Sequence, residues 1–329
     1  GEDELVFTIT KVNGGRNGAT ISYANLPRIT VTKVPKRRIA VEEYTAMWCR
    51  YCPTGIALME NLSHTFGDDF VGIGDPLDCW DYYSKAKGVH LPTVDMNRSH
   101  RLGYVLGVDE FKAEQEAGAD MDLEVSAVWD ESKNSITVTP VVTFRVNRDE
   151  APYGFAYVLT EDGMTDSRWV QNNAYSGSHG DRGVTKEFDE IIDSPGEIHN
   201  LKNNFVAIAA EGVNVPVTGH VEAPIKADTP LSHTYVFKDI NSKKVIQKKE
   251  NLRVCVLLIN TQTRHVENAA KCVISEPKTT AISSVSDGTR SEVVVGRYTL
   301  DGRRITTPQR GINIVRYSDG RVSKEVVTK

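Results

Sequence analysis

Apolar and polar residues alternate through residues 5–32, as in Leu5-Val6-Phe7-Thr8-Ile9-Thr10 and Ile29-Thr30-Val31-Thr32. This period of two predicts strands, and Asn13-Gly14-Gly15 between them is a turn signal. Residues 38–45 predict a further strand that runs straight into Trp48-Cys49. After Pro53 the pattern changes: Ile56, Leu58, Met59 and Leu62 fall at helical spacing, which predicts a helix over 55–66. A short strand at 70–73, a helix at 78–87, a strand at 92–96 and a helix at 108–117, ended by Gly118, follow in turn. Beyond residue 120 the period of two returns. Strands are expected at 122–129, 135–146, 155–160, 206–209, 233–237, 252–259 and 270–274, with polar turns between them. Many short strands of this kind predict a β-sandwich. Residues 163–205 hold few strand signals and read as long loops.

The 329 residues exceed one ordinary domain. Residues 1–119 read as an α/β domain with added N-terminal strands, 120–274 as an all-β domain, and 275–291, rich in Ser and Thr, as a linker. Residues 292–329 carry the dipeptides Asp301-Gly302 and Asp319-Gly320 and read as a small β module built on hairpins. The composition, 40% hydrophobic and 25% charged, is that of a folded chain. A net charge of −5 supplies no global field for nucleic acid, and the basic run 33–38 is interrupted by Val34 and Pro35. No apolar stretch reaches the roughly 20 residues of a membrane-spanning helix. The chain opens Gly1-Glu2-Asp3-Glu4 without methionine, as expected of a protein whose export signal or lipid anchor has been removed.

Five cysteines are too few for a disulfide scaffold, and two of them form Cys49-Arg50-Tyr51-Cys52. Such a pair holds zinc or does redox chemistry. Zinc needs two more ligands at short spacing, and the sequence offers none: His90 and His100 are ten apart, and Cys255 and Cys272 are seventeen apart. No metal or other cofactor is therefore expected. Redox chemistry needs a cysteine at a helix N-terminus, where free N–H groups and the helix dipole favour a thiolate. The order strand, Cys49, turn, Cys52, helix supplies that context. No Ser-His-Asp order, phosphate loop or calcium loop is present.

The segment from Val41 through Trp48-Cys49 resembles the thioredoxin strand that leads into its Trp-Cys-x-x-Cys. Leu91-Pro92-Thr93, forty-three residues after Cys49, resembles the cis-proline element of the same family. The resemblance implies that Cys49 is the attacking thiolate, Cys52 the buried resolving thiol, and Pro92 a cis residue packed at the site. Trp48 would cover the disulfide. Glu43, six residues before Cys49, falls where thioredoxins bury an acid that moves protons at the second cysteine; it also reads as a solvated strand-end acid. Arg50-Tyr51 departs from the Gly-Pro of thioredoxin, so a redox potential does not carry over. Arg50 is expected to lower the Cys49 pKa by its charge. A structural disulfide on the same scaffold is the other reading of the motif.

Glu42-Glu43-Tyr44-Thr45 before the cysteines, Asp75-Pro76-Leu77, residues 92–98, Leu159 to Gly163 and Gln171 to Gly177 together resemble the family related to outer membrane protein 28. That family implies a thioredoxin-like domain followed by a β-sandwich, at the outer membrane or cell surface of Gram-negative anaerobes. The tail, Tyr298 to Arg304 with Gly311-Ile312-Asn313-Ile314-Val315 and a basic end, resembles the C-terminal sorting domain of type IX secretion. An ordinary hairpin module is the plainer reading. The implied partners are protein dithiols and disulfides, the type IX machinery and a surface ligand. Two functions follow as expectations: thiol–disulfide exchange by an exported enzyme, or binding and adhesion with the thioredoxin-like domain as scaffold.

The remaining cysteines stay open. Cys255 and Cys272 flank a hairpin turn near 262–264 and read either as a cross-strand disulfide or as two buried thiols. Cys79 reads as a buried thiol beside Trp80, or as one that exchanges with the Cys49–Cys52 pair. Trp169, Tyr175 and His179 suit a ligand-binding loop, or one that merely packs on the sandwich.

Overall fold

The computed structural model describes residues 2–76, 90–103, 107–277, 294–299, 302–317 and 322–327. The expected helix at 78–87, Cys79, Trp80, Asp301 and the Asp319-Gly320 turn lie outside them. The chain divides into two compact units, 1–277 and 278–329.

In the first unit, β1 (Glu2–Thr8) and β2 (Tyr23–Ile29) pair antiparallel as a two-stranded sheet of their own. At its tip Asn13 and Gly14 take the left-handed conformation that the turn signal implies, φ 51° and 82°. β3 (Ile39–Thr45) is buried along its whole length, as a strand covered on both faces is, although it carries Glu42, Glu43 and Thr45. α1 (Pro53–Phe66) follows, with proline in the first turn where no N–H is needed. β4 (Phe70–Pro76) lies parallel to β3, and β5 (Thr93–Met96) antiparallel on its other side. α2 (Val108–Glu116) ends ahead of Gly118, which takes φ 73°.

β6 (Met121–Trp129) and β7 (Ile136–Phe144) form a hairpin whose turn is tied by Asp130, accepting from the Asn134 and Ser135 N–H groups at 2.7 and 2.8 Å. β8 (Tyr153–Glu161) comes next. The stretch 163–205, expected as loops, instead holds β9 (Val170–Asn172), α3 (Lys186–Asp193) and β10 (Glu197–His199). β11 (Val206–Glu211), β12 (Leu252–Asn260) and β13 (Val266–Ser275) complete the unit.

One twelve-stranded mixed sheet carries strands from both sides of residue 120. β7, β6, β13, β12, β8, β11, β4, β3 and β5 follow one another across it, with short strands at both edges. The join is thin: β11 meets β4 at the single pair Val206↔Gly74. The chain is therefore mostly β, with three α-helices among the described residues.

Three apolar layers hold it. Side chains of β6 and β7, such as Leu123, Val138 and Phe144, face those of β8, β11 and β12, such as Tyr157, Ile208 and Val256. The opposite face of β8, β12 and β13, with Val158, Leu257 and Ala269, packs on Ala40, Val71 and Ile73 of β3 and β4. The alternate face of β3, with Ile39 and Val41, packs on Leu58, Met59 and Leu62 of α1 and on Phe111 of α2. Thus the β3–β4 layer is sandwiched between a helix on one side and strands on the other. The side chain of Arg98, just beyond β5, spans this second interface. It makes a two-point ion pair with buried Glu42, 2.7 Å at each oxygen, and donates to the Val213 carbonyl at 2.8 Å.

The second unit is a four-stranded antiparallel sheet in the order Arg304–Ile305, Val294–Tyr298, Gly311–Tyr317, Val322–Val327. These strands match the hairpins expected there. Asn313, buried, ties the bend before its strand by exchanging hydrogen bonds with the Gln309 backbone at 3.0 and 2.7 Å.

Candidate functional site

β3 delivers the chain to the N-terminus of α1, and the two cysteines sit at that junction. Cys49 and Cys52 are joined as a disulfide, with Cα atoms 5.4 Å apart. Cys52 is wholly buried and precedes the first helical residue, while Cys49 is 6% exposed. The Cys52 N–H donates to the Cys49 carbonyl, and the Cys52 carbonyl accepts from Gly55 and Ile56 as the helix begins. The Leu91–Pro92 bond is cis, as the thioredoxin resemblance implies, and Leu91 packs on Ala46 and the two cysteines. Trp48 is 61% exposed, so Ala46 and Leu91 supply the apolar contacts of the disulfide. The Arg50 guanidinium lies 5.5 Å from the centre of the Tyr51 ring, a cation–π placement.

Glu43 is buried, on the face of β3 that it shares with Val41. Its carboxylate lies directly beneath Gly55 of α1: a Cβ at that position would stand 2.5 Å from Glu43 Oε1. A side chain there would push the Glu43 carboxylate aside, so glycine is what lets the acid sit this close to the helix backbone. Oε1 makes no hydrogen bond of full geometry, and neither does the neighbouring Thr45 hydroxyl. Burial pushes the Glu43 carboxyl up to about 8, against a smaller opposing pull from the Thr45 hydroxyl; Glu60 adds to the rise. Glu43 is thus the buried acid of the two readings that the sequence left open.

The site has a component that the sequence reading did not place. Residues 171–174 run along the outside of the cysteine loop and take four successive carbonyls. The Asn172 N–H donates to Met47 O at 2.9 Å, and Asn172 Nδ2 to Trp48 O at 3.1 Å. Gln171 Nε2, wholly buried, donates to Cys49 O at 2.9 Å. The Ala174 N–H donates to Arg50 O at 2.8 Å. Asn173 anchors this strap from behind, donating to Ile191 O at 2.8 Å. Next to it, Tyr175 meets Tyr51 edge-on with ring centres 6.1 Å apart. α3 then packs Phe188, Ile191 and Ile192 on Ala57 of α1, its N-terminus capped by Thr185. Of the two readings of this loop, packing on the strand core holds for its first part, through Met164 and Trp169, while Tyr175 packs on the α1 side. His179 is exposed. The signal was the amide run Gln171-Asn172-Asn173, whose donors suit capping a loop of free carbonyls.

Cys255 and Cys272 lie apart from this junction, in a later hairpin of the sheet. In the β12–β13 hairpin Cys255 faces Lys271 and Cys272 faces Val254. Residues one step out of register point to opposite faces, so the two cysteines are free thiols and not a cross-strand disulfide. Burial pushes both thiols up to about 12. Among the described residues no three His, Cys, Asp or Glu side chains converge to hold a metal ion, and no helix is long and apolar enough to cross a membrane.

No protein-family model matches the sequence, and no curated protein matches it. Solved structures do. HBP35 of Porphyromonas gingivalis superposes with a TM-score of 0.50 at 13% identity, over 89% of this chain and 99% of that one. A protein of Agrobacterium tumefaciens covers 79% of this chain and 100% of its own at 13% identity, with a TM-score of 0.39. A domain of the outer membrane lipoprotein Omp28 from P. gingivalis covers 48% of this chain and 90% of its own at 11% identity, with a TM-score of 0.25. The first of these supports a shared fold over most of the chain.

Proposed function

We propose that this chain is an exported cell-envelope protein that exchanges disulfides with protein thiols through Cys49 and Cys52. The observation that carries the reading is the placement of the disulfide at the start of α1, with a cis proline beside it and a buried acid beneath the same helix. In this reading residues 1–119 are a thioredoxin-like domain and 120–274 a β-sandwich. Residues 275–291 are a linker, and 292–329 a sorting-like module that engages type IX secretion. The envelope location rests on the resemblance of the sequence to outer membrane protein 28 relatives and on its tail. HBP35 of P. gingivalis supplies fold likeness alone.

The chemistry balances without a cofactor. A substrate thiolate attacks Cys49 Sγ; the Cys49–Cys52 bond breaks and its electron pair leaves on Cys52 Sγ, which takes up a proton. A second substrate thiolate then attacks the substrate sulfur of the mixed disulfide, and Cys49 leaves as thiolate. The substrate loses two electrons and the pair gains two. The opposite direction runs through the same mixed disulfide.

A trapping experiment tests this. Reduced Cys52→Ser, lacking the resolving thiol, should accumulate a mixed disulfide with a peptide disulfide, and Cys49→Ser should accumulate none. Equal trapping by both variants, or by neither, contradicts the reading. One observation favours a second reading, in which the motif is a rigid scaffold for surface binding: the strap occupies every carbonyl from Met47 to Arg50. Under that reading neither variant traps a peptide.

A further inference from the structure

Beneath α1, Glu43 shares a small cavity with a second acid, Glu60. The cavity is lined by Glu43, Thr45, Gly74, Glu60 and Asn204 among others, and its volume of about 20 Å³ gives room for one water. Glu60 and Asn204 also line an open groove of about 400 Å³ on the far side, between α1 and the segment that follows α3. These two residues, with Ile56, therefore line both spaces, and Glu60 is the ionisable one of the three. Asn204 fixes the arrangement from both ends: its Nδ2 donates to Glu60 Oε1 at 2.7 Å, and its Oδ1 accepts from the Gly163 N–H at 2.8 Å.

The geometry points to a two-carboxylate proton path, in which Glu60 passes protons between the groove and Glu43 through a water in the cavity. This rests on the exchange reading above. When the Cys49–Cys52 bond breaks, Cys52 Sγ receives the leaving electron pair and needs a proton. Glu43, as the carboxylic acid, gives one, and its carboxylate is reprotonated through the water from Glu60, which recovers a proton from solvent. On reoxidation the same groups carry the proton outward.

Electrostatics suit this traffic. Burial raises the Glu60 carboxyl above its ordinary range, against the hydrogen bond from Asn204. His64 opposes that rise, and Asp162 and Glu187 add to it. Glu187 is itself engaged by His64 at 2.8 Å and by Asn61 at 3.1 Å, which leaves Glu60 as the acid that touches both spaces. Burial raises both carboxyls above their ordinary range, the direction in which each holds a proton it can pass on.

Glu60→Gln removes the proton and keeps both the volume and the acceptor for Asn204. Single-turnover reduction of the whole chain by dithiothreitol, acid-quenched and read by mass, should slow on the order of a hundredfold near pH 7, the low end for a positioned acid–base group. The Glu60 inflection should vanish from the pH profile, Glu60→Asp should recover most of the rate, and alkylation of reduced Cys49 should not change. A Glu60→Gln rate and pH profile equal to wild type overturn the relay and leave the exchange reading intact. A wild type that dithiothreitol fails to reduce overturns both.

Discussion

Replacing Glu43 by glutamine will stabilise the protein at pH 8 and leave its stability at pH 4 unchanged. The carboxyl titrates near 4.5 in the unfolded chain and near 8 in the folded one. Between those values the unfolded chain gives up a proton that the folded chain keeps. The unfolding free energy therefore falls as pH rises through this window, by up to ~1.4 kcal/mol per pH unit, and levels off above it. Glutamine has the same shape and no proton to lose, so the variant lacks this slope. At pH 8 its advantage over wild type should approach 4 to 5 kcal/mol, an order-of-magnitude upper limit from the size of the shift. Urea unfolding of both proteins at pH 4, 6 and 8 checks it; parallel pH profiles would show that Glu43 is not the buried acid described here. The same substitution removes the proton that Cys52 needs, so it should slow exchange while it stabilises the fold. Functional sites often retain groups that cost stability in this way.

Arg98→Met will destabilise the first unit by about 3 to 5 kcal/mol, because it leaves Glu42 charged, buried and without its guanidinium. It also removes the donor to the Val213 carbonyl. The link matters beyond its own energy, since it lies where β3 is covered by strands and not by a helix. Glu42→Leu with Arg98→Met should recover much of the loss, because two apolar groups no longer strand a charge. Chemical denaturation of the two single variants and the double variant measures the coupling. A single Arg98→Met within about 0.5 kcal/mol of wild type, the range of ordinary surface substitutions, contradicts the account.

The parts of the site that were legible in the sequence are local. A strand-like run leading into Trp48-Cys49, a helix-tolerated Pro53 and helical spacing from Ile56 to Leu62 place the cysteines by pattern alone. Pro92 could be placed only through its likeness to a known element. Glu43 was legible as a position on a strand face; its burial was not, because that depends on Gly55 closing over it.

What the pattern hid is long-range. The strap reaches Cys49 from 122 residues away through an amide, and amides carry no periodic signal. The loop reading of 163–205 failed because α3 spans only Lys186–Asp193, whose apolar residues Phe188, Ile191 and Ile192 make one short stripe. The reading of the Cys255–Cys272 pair turned on a single register step. The bulge between Leu258 and Ile259 sets that step, and spacing along the sequence does not show it. The continuity of the sheet through Val206↔Gly74 is likewise a single pair with no local mark.

The most direct test of the central claim is the alkylation rate of the reduced chain between pH 4 and 9, with the modified residue read by mass spectrometry. Cys255 and Cys272, with thiols held near 12, serve as internal controls. A thiolate at the start of α1 should make Cys49 the first residue modified at pH 6, with an apparent pKa of about 7 or below. A Cys49 that reacts as an ordinary thiol, with a pKa near ~8.5, would contradict the exchange reading and leave the disulfide as a structural link.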